Sequence, residues 1–547
     1  MSRYSIGIDT GGTFTDGALI EVQSKTVLAS VKVPTTPDRL HESVARCLSA
    51  ILEKAGVSPG QIGRIAISTT LATNSVVENK GARVGLFVIG YVKHFKLPVT
   101  AVLYLKGGHT IQGVEEEPLE IEYLVETLSR LSKEVDAYAV CSAMSMVNPA
   151  HELVTEKAIS MIDPKPVFCS HRASDQAGMK ERAATAALHA KLMPLMQTFI
   201  TSVAEAMNEL ELDASLFIIT GNGLAIRPAE ALHQSGITVA SGPACTALFG
   251  AQQRRKKALV VDVGGTTTDI AMIEDGQPVM APDGCTIASW VTHMPSVDMY
   301  TGGIGGDSLV VLHHDGSFSI GPGRVRPLCM AGNIPDPAGW IGPETAARCI
   351  SLTAPSSSAS PGDDPVLNDL REHGPATSAE LRSRAGLSTM ALDRRLEQLA
   401  RVHLVQETGF TPTDALHVLG LARFGDPARS CSAAAVLAGL AGTDQKSFCR
   451  QVVERTEEVI CALIITYVAQ KTGGTSLASV LESRRNPILD ISFALKIPLI
   501  GLGAAARFFL PAVAARLSTS VEFPEHFEVG NAVGAAICAI NQSARHG

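Results

Sequence analysis

The chain has 547 residues, of which 46% are hydrophobic and 18% charged, a composition typical of a folded protein with several domains. The formal net charge of −8, from 46 basic and 54 acidic side chains, gives no electrostatic reason to expect a nucleic acid partner. No apolar run reaches the ~18 residues of a membrane span. We therefore expect a cytoplasmic protein that keeps its 11 cysteines mainly as buried thiols.

Strand-like and helix-like patterns alternate along the chain, which predicts an α/β fold. The chain opens on a predicted hairpin at 4–20 and contains a second one at 259–273. Between them, buried strands are predicted at 65–68, 84–89, 137–141 and 216–219, and helices at 40–55, 119–131 and 180–211.

A predicted linker at 354–366, rich in Ser, Pro and Gly, precedes three short predicted helices and a strand. The helices are at 366–372, 378–385 and 389–402, and the strand is at 404–410. The third helix places Leu392, Leu396 and Leu399 on one face. This outline predicts a small winged-helix-like insertion. Its balanced charge favours packing or protein contact over DNA binding.

The pattern D-x-G-G-T-x-T-D occurs twice, at Asp9–Asp16 and at Asp262–Asp269, each time between two apolar runs. Apolar run, Gly-Gly turn and apolar run together predict a β-hairpin. Glycine lets a ligand approach the backbone closely, and successive N–H groups in such a turn bind anions. One such turn alone is more often a plain tight turn. Two copies favour two phosphate-binding hairpins that grip one triphosphate.

These motifs resemble the phosphate hairpins of the actin and sugar-kinase ATPase superfamily, and most specifically the ATP-binding A-type subunit of the hydantoinase/oxoprolinase family. Further segments that carry this resemblance are 68–74, 80–82, 222–223, 241–244, 301–308, 412–415, 500–504 and 530–535. Ile304 and Asp307 depart from the family's Gly-rich loop.

The resemblance implies two actin-like, ribonuclease H-like lobes around a nucleotide cleft. The first lobe is expected at 1–175 and the second at 176–353, with the linker and insertion at 354–410 and the rest of the second lobe at 411–547.

The resemblance also implies ATP and Mg²⁺ as cofactors. Asp9 and Asp262 are the expected catalytic residues and would hold Mg²⁺ through water. Phosphate contacts are expected from Gly11, Gly12, Thr13, Thr15, Gly264, Gly265, Thr266 and Thr267. Gly501 and Gly503 are expected near the nucleotide base, and Thr70, Thr73, Asn74 and Gly303 near the substrate.

The function that the resemblance implies is ATP-dependent hydrolysis of a cyclic amide such as a hydantoin or 5-oxoproline, by phosphorylation of the amide carbonyl. Related family members activate ketones for carboxylation. Ring opening often needs a B-type partner subunit, and a homo-oligomer is also compatible with the sequence. The alternatives are a ligand-sensing regulator that carries the winged-helix-like insertion, and an ATP-binding scaffold.

Two other candidates have plainer explanations. His313 and His314 are adjacent, so on a strand they would point to opposite faces and not bind one metal ion; a hairpin turn at Asp315-Gly316 is expected instead. Cys245 lacks a sequence signal for a neighbouring base, so we do not expect a nucleophile there.

Overall fold

The computed structural model describes most of the chain. The described residues are 3–12, 14–36, 39–77, 81–90, 93–281, 284, 286–287, 290–332, 334–353, 364–401, 404–471 and 492–545. The chain forms two compact units. The first comprises Met1–Lys256, Met272–Asp298 and Val529–Gly547, and the second comprises Lys257–Ala271 and Met299–Glu528. The predicted lobe boundaries at 175, 353 and 410 stay predictions. Most of the predicted linker lies outside the described residues.

The first unit is built on two large sheets. Its first ten strands are β1 (Tyr4–Thr10), β2 (Phe14–Glu21), β3 (Val27–Pro34), β4 (Ile62–Thr69), β5 (Val84–Ile89), β6 (Ala101–Leu105), β7 (Ala137–Ser142), β8 (Val167–Cys169), β9 (Ser215–Ile219) and β10 (Ala225–Ile226). One sheet has the order β10–β9–β4–β1–β2–β3. Within it, β1, β2 and β3 pair antiparallel, whereas β4 runs parallel to β1 and β9 runs parallel to β4. The other sheet, β6–β5–β7–β8, is parallel throughout.

Eight helices complete the described part of the first unit: Leu40–Ala55, Leu71–Val77, Ile121–Leu131, Ala150–Ile162, Met179–Glu209, Pro228–His233, Ser241–Ala251 and Gly530–Arg545. The four predicted strands and three predicted helices are confirmed, as β4, β5, β7 and β9 and as the first, third and fifth of these helices. Every residue of β5 and β7 is buried, which agrees with the continuous apolar runs expected of a parallel sheet.

Apolar residues cover both faces of the sheet that contains β1. On one face, side chains of β1 and β4 pack against helices Leu40–Ala55 and Met179–Glu209. On the other face, Ala66 and Phe217 pack with residues of helices Ser241–Ala251 and Gly530–Arg545. These last two helices approach each other and β1 through glycines. A Cβ at Gly7 would lie 1.9 Å from the Ala532 carbonyl oxygen, and one at Gly534 would lie 2.2 Å from the Cys245 carbonyl oxygen.

We expect Gly534→Ala to lower the free energy of unfolding by about 1–3 kcal/mol, because the added methyl group displaces backbone in a packed interface. Gly439 is the matched control, since it also lies in a helix, Pro427–Leu440, and a Cβ there meets nothing within 4 Å. Gly439→Ala should leave stability unchanged or raise it by up to about 1 kcal/mol. Guanidinium unfolding of both variants checks this, and equal effects would contradict the helix contact.

The remaining strands are β11 (Lys257–Val263), β12 (Thr268–Glu274), β13 (Gln277–Pro278), β14 (Met280–Ala281), β15 (Thr286–Ile287), β16 (Trp290–Val291), β17 (Ser296–Val297), β18 (Met299–Gly302), β19 (Ser308–Leu312), β20 (Phe318–Arg324), β21 (Arg326–Pro327), β22 (Arg348–Leu352), β23 (Ala376–Thr377), β24 (Val405–Gly409), β25 (Leu499–Leu502) and β26 (Val521–Glu522). Of these, β13 to β17 belong to the first unit.

The main sheet of the second unit repeats the arrangement of the first. Its strand order is β13–β12–β11–β25–β26, and β18 also pairs with β12. In the series β3–β2–β1–β4–β9 of the first unit, the antiparallel pairs lie at one end. The sheet of the second unit likewise has an antiparallel pair at one end, β18 with β12. Parallel pairs lie at the other end, where β25 follows β11 and β26 follows β25. The duplicated sequence motif is therefore part of a duplicated strand arrangement.

The helices of the second unit are Pro365–His373, Ser378–Ala385, Thr389–Arg401, Pro412–Val418, Pro427–Leu440, Gln445–Lys471 and Ala506–Arg516 within the described residues. The first three, with β24, confirm the helices and strand predicted after the linker. As predicted, Leu392, Leu396 and Leu399 share a buried face, in a small core with Ile350. β24 pairs with β22, which spans Arg348–Leu352, so this module includes residues ahead of the predicted boundary at 354. Its assignment to the winged-helix class stays a prediction.

The ten cysteines within the described residues are free thiols and nine of them are buried, as expected. In the same part of the chain, no helix is both long enough and apolar enough to cross a bilayer.

Candidate functional site

The first predicted phosphate hairpin is confirmed as a β-hairpin. Thr10 pairs with Thr15 at the last step of the β1–β2 ladder, and the Gly11 N–H donates to the Phe14 carbonyl at 2.9 Å. Gly12 is exposed at the turn, whereas Thr13 lies outside the described residues. The turn therefore presents glycine backbone at the end of the sheet, where a ligand can come close.

Asp9, which precedes this turn, is 5% exposed. Its Oδ1 accepts a hydrogen bond from the Ser68 hydroxyl at 2.7 Å, and its Oδ2 accepts one from the Asn531 side-chain amide at 3.2 Å. Ser68 reaches Asp9 because the two residues pair in the parallel β1–β4 ladder. These donors hold the carboxylate in one orientation.

Two helices begin beside Asp9. Helix Ser241–Ala251 is fixed at its start, because the Ser241 hydroxyl accepts from the Thr69 N–H and donates to the Thr69 carbonyl, both at 3.1 Å. A Cβ at the next residue, Gly242, would lie 3.4 Å from Asp9 Oδ1. Helix Gly530–Arg545 supplies Asn531 from its first turn. Helix N-termini carry partial positive charge and N–H groups without helical partners, so this corner of the first unit suits an anion.

The other predicted contacts of the first unit have structural partners. The Thr15 hydroxyl lies 2.9 Å from a threonine hydroxyl that follows β3. The N–H and hydroxyl of Thr70 donate to the Thr10 carbonyl at 3.1 and 3.3 Å. The Thr73 hydroxyl accepts from the backbone N–H just ahead of helix Ser241–Ala251, at 2.9 Å. The side chain of Asn74 lies outside the described residues. The substrate roles of these residues stay predictions.

The second predicted hairpin is confirmed with the same local geometry. The Gly264 N–H donates to the Thr267 carbonyl at 3.0 Å, as Gly11 does at the equivalent step of the first hairpin. Thr266 is exposed at the turn, and the Thr267 hydroxyl donates to Asp269 Oδ2 at 3.3 Å. Glycine backbone is thus again presented after a buried aspartate, Asp262, which is 9% exposed.

The loop after β25 approaches Asp262 as the loop after β4 approaches Asp9. The Ala505 N–H donates to the Val263 carbonyl at 3.1 Å, which matches the bond from Thr70 to Thr10. Gly503, predicted to lie near the base, has φ +87, and a Cβ there would lie 2.2 Å from Asp262 Oδ1. Each hairpin aspartate therefore has a glycine beside it: Gly242, in the first turn of helix Ser241–Ala251, for Asp9, and Gly503, on the loop ahead of helix Ala506–Arg516, for Asp262.

The two remaining predicted glycines have different surroundings. Gly501 lies within β25, and a Cβ there would lie 2.5 Å from the Phe523 ring and 2.9 Å from Leu510. Its surroundings are apolar core, so close packing requires a glycine here, and its position near the nucleotide base stays a prediction. Gly303 is exposed in the loop between β18 and β19, where its Cβ would meet only Pro322, at 3.5 Å. Its role toward a substrate stays a prediction.

Asp307, the departure from the family's Gly-rich loop, lies against the second hairpin. The N–H groups of Gly306 and Asp307 donate to the carbonyls of Gly264 and Gly265 at 3.0 and 2.7 Å. A Cβ at Gly265 would lie 2.4 Å from Asp307 Oδ2. Burial raises the pKa of Asp307 to about 6, opposed by Arg324 and reinforced by the nearby carboxylate of Asp414. The sequence marks Asp307 as a departure from the family's loop, but no local pattern indicates this contact.

Asp307→Asn should stabilise the chain relative to wild type as the pH rises. A carboxyl group whose pKa is higher in the folded than in the unfolded chain stabilises fully at low pH, and this contribution is lost as the pH rises through about 6. Asparagine does not ionise, so the variant does not lose stability in this way. The free energy of unfolding of Asp307→Asn minus that of wild type should therefore rise by about 2–3 kcal/mol between about pH 4 and about pH 7. Denaturant unfolding across that range measures it, and a pH-independent difference would refute the raised pKa.

Cys245 and the histidine pair agree with the plainer explanations. Cys245 is fully buried in helix Ser241–Ala251, and burial raises the pKa of its thiol well above the usual range, so it is a poor nucleophile. Asp315-Gly316 forms the turn of the β19–β20 hairpin. His313 bonds to a serine hydroxyl at 3.1 Å, and the exposed His314 lies 3.7 Å from Glu344.

One group of metal-ligand types comes together among the described residues, formed by Glu152, Cys169 and His171. The Glu152 carboxylate is already satisfied, because it accepts from the Ser142 N–H at 2.8 Å, the Ser170 hydroxyl at 2.6 Å and His171 Nδ1 at 2.6 Å. We therefore assign this group a structural role at the end of the parallel sheet.

The fold and the hairpins together define an α/β protein with a duplicated, glycine-lined aspartate site. The model of the hydantoinase/oxoprolinase N-terminal region matches residues 5–162, and the hydantoinase/oxoprolinase model matches residues 182–335, together more than half of the chain. The chain belongs to the hydantoinase/oxoprolinase family, as the sequence motifs indicated.

The similar proteins include enzymes with different substrates. The chain is 26% identical over 370 residues to caprolactamase subunit alpha of Pseudomonas jessenii, covering 58% of this chain and 50% of that protein. It is 26% identical over 382 residues to 5-oxoprolinase 1 of Arabidopsis thaliana, covering 59% and 30%. The chain thus spans half or less of the length of these relatives.

Among solved structures, the nucleotide-free structure of acetone carboxylase superposes with a TM-score of 0.68 at 18% identity, covering 98% of this chain and 70% of that one. This likeness confirms the α/β fold.

Proposed function

We propose that the chain is the ATP-binding component of an ATP-dependent enzyme that activates the carbonyl group of a cyclic amide. The observation that carries this proposal is the repeated local arrangement at the two hairpins. In each, a buried aspartate precedes a diglycine turn, and the backbone of a glycine from another segment lies beside the carboxylate. A single diglycine turn is explained as an ordinary tight turn. Here the neighbouring loops repeat as well, because the hydrogen bond from Ala505 to Val263 matches the one from Thr70 to Thr10.

The residues present fit MgATP. The turn glycines, Gly12 (exposed) and Gly265 (half-buried), offer backbone to phosphate oxygens, and the helix starts beside Asp9 add positive charge. Asp9 and Asp262 would hold Mg²⁺ through water, since carboxylate oxygen and water are its preferred ligands. Bound ATP would supply the phosphoryl group that activates the carbonyl. For the chain's own residues, the task is positioning: Ser68 and Asn531 fix the Asp9 carboxylate so that it need not reorganise during the reaction.

The proposed substrate class follows the family resemblance and the relatives named caprolactamase and 5-oxoprolinase. A lactam, 5-oxoproline or a hydantoin contains the same amide carbonyl, and phosphorylation of its oxygen would weaken the ring C–N bond toward hydrolysis. The likeness to acetone carboxylase keeps ketone activation as the competing assignment. Because one relative is named as a subunit, we propose a B-type partner for ring opening.

The decisive experiment measures nucleotide binding and ADP release with the full chain. We expect one ATP bound per chain if both hairpins bind the same nucleotide. We also expect ADP release that rises with ε-caprolactam, 5-oxoproline or hydantoin when a B-type subunit is co-expressed. Stimulation by acetone and bicarbonate instead would assign ketone carboxylation. Absence of ATP binding, together with salt-sensitive retention on heparin, would favour the regulator.

A further inference from the structure

A pocket of mixed polar and apolar lining lies wholly within the second unit, between the insertion module and the β19 strand. Its volume is about 260 Å³, slightly below the ~300 Å³ at which drug-sized pockets begin, so it suits a small metabolite. Residues of β19 and of the helices Ser378–Ala385 and Thr389–Arg401 form its walls. None of these residues belongs to the hairpin sites described above.

Ser378, which lines the pocket, has a buried hydroxyl that finds no partner within the described part of the chain. Ser378, in the first turn of its helix, is 9% exposed, and no atom of the described residues bonds to its Oγ. An unpaired buried hydroxyl costs free energy that a ligand would recover by bonding to it. The helix itself does not need this hydroxyl, because Thr377 caps it and pairs with Glu380 in a capping box.

One positive and one negative side chain face the pocket without an ion-pair partner. Arg382 donates to the Thr389 hydroxyl at 3.0 Å, and Asp393 lies one helical turn beyond Thr389, on the same helix face. Within the described ranges, neither forms a salt bridge. The other two charged groups of the pocket are engaged, since Arg348 pairs with Glu407 at 3.0 Å and Glu344 lies 3.7 Å from His314.

The apolar wall completes the chemistry of the pocket. Leu309 and Leu392 are 6% and 2% exposed, and Val311 is half-buried beside them. A ligand therefore meets a guanidinium and a hydroxyl, a carboxylate, and an aliphatic surface. Guanidinium pairs with carboxylate, and a carboxylate pairs with an ammonium group, so the complement is a zwitterion with an apolar part.

We infer that this pocket binds a zwitterionic amino acid with an aliphatic side chain. Arg382 and the Ser378 hydroxyl donate to the carboxylate of the ligand, Asp393 accepts from its ammonium group, and Leu309 and Leu392 pack against its side chain. The binding does not depend on the proposed function.

The test is calorimetric titration of the full chain, without nucleotide, using L-leucine as the probe. We expect one saturable site per chain. 4-Methylpentanoate and 3-methylbutylamine each lack one of the two charged groups, so each should bind at least about tenfold more weakly. No saturable binding of L-leucine, or equal affinity for L-leucine and either analogue, would overturn the inference.

Variants locate the site. Arg382→Gln and Asp393→Asn should each weaken L-leucine binding by about tenfold or more, because each removes a charged hydrogen bond. Both side chains are exposed at the rim, so thermal unfolding should show an intact fold. Arg371→Gln is the control, since Arg371 is exposed on the same module and does not line the pocket; it donates to Asn368. Unchanged affinity in both pocket variants would refute the assignment. ADP release should persist in both pocket variants, because neither residue belongs to the hairpin sites. Failure of L-leucine binding would therefore concern the pocket alone, whereas absence of ADP release in the wild type would concern the proposed function alone.

Discussion

Asp9→Asn is expected to lower ATP turnover by about 10²–10³-fold while the fold is retained. Asparagine has the same shape as aspartate, and it can accept from the Asn531 amide through its oxygen and donate to the Ser68 hydroxyl through its nitrogen. The hydrogen bonds at this corner therefore survive, and only the negative charge is lost. The proposed role of Asp9, which is to hold hydrated Mg²⁺ or to orient an attacking oxygen, requires that charge. Steady-state ADP release, with circular dichroism as a check on folding, measures the effect.

The control for this variant is Asp136→Asn. Asp136 is a surface carboxylate of the same unit, paired with Arg83 at 2.9 Å, far in sequence from either hairpin. Exposed ion pairs contribute about 0–1 kcal/mol, so ADP release should remain at the wild-type rate. If Asp9→Asn also released ADP at the wild-type rate, the catalytic assignment of Asp9 would be wrong. Asp9 is the one carboxylate that precedes the turn in the first motif, so no other carboxylate at that place in the motif could replace it.

Gly503→Ala is expected to destabilise the chain by about 2–4 kcal/mol and to abolish the contribution of the second hairpin to nucleotide binding. Its methyl group would lie 2.2 Å from Asp262 Oδ1 and 2.6 Å from the Val263 carbonyl oxygen, so the loop or the aspartate must move. The left-handed backbone at φ +87 adds strain for any side chain. Denaturant unfolding and nucleotide titration measure the two effects.

Gly442→Ala separates backbone strain from steric displacement. Gly442 belongs to the same unit and has φ +68, but a Cβ there meets nothing within 4 Å. We expect a loss of about 1–2 kcal/mol from the backbone conformation alone, with nucleotide affinity unchanged. Should both alanine variants lose the same stability and bind nucleotide equally, close approach of Gly503 to Asp262 would not explain the glycine.

Local patterns made the two hairpins predictable from sequence. The alternation of apolar runs with diglycine turns fixed their positions, and duplication distinguished them from ordinary turns. The helices of the insertion were also predictable, because the spacing of Leu392, Leu396 and Leu399 depends only on local periodicity.

Contacts between distant segments were not predictable in this way. Asn531 bonds to Asp9 across 522 positions, and no local pattern indicates such a pair. Gly501 illustrates the opposite case. It resembles a glycine of a nucleotide-binding loop, but the Phe523 ring occupies the space beside it. The contact of Asp307 with Gly265 likewise depends on how two loops fold together.

The return of helix Gly530–Arg545 to β1 has a consequence for synthesis on the ribosome. The first strands emerge early, but the helix that covers β1 and donates to Asp9 emerges more than 500 residues later. At ~5–20 residues per second, this interval lasts from tens of seconds to about two minutes. Until then, the part of the sheet that this helix covers exposes apolar side chains that chaperones can bind, and a prematurely terminated chain never acquires the amide partner of its aspartate. The corner around Asp9 is thus completed last.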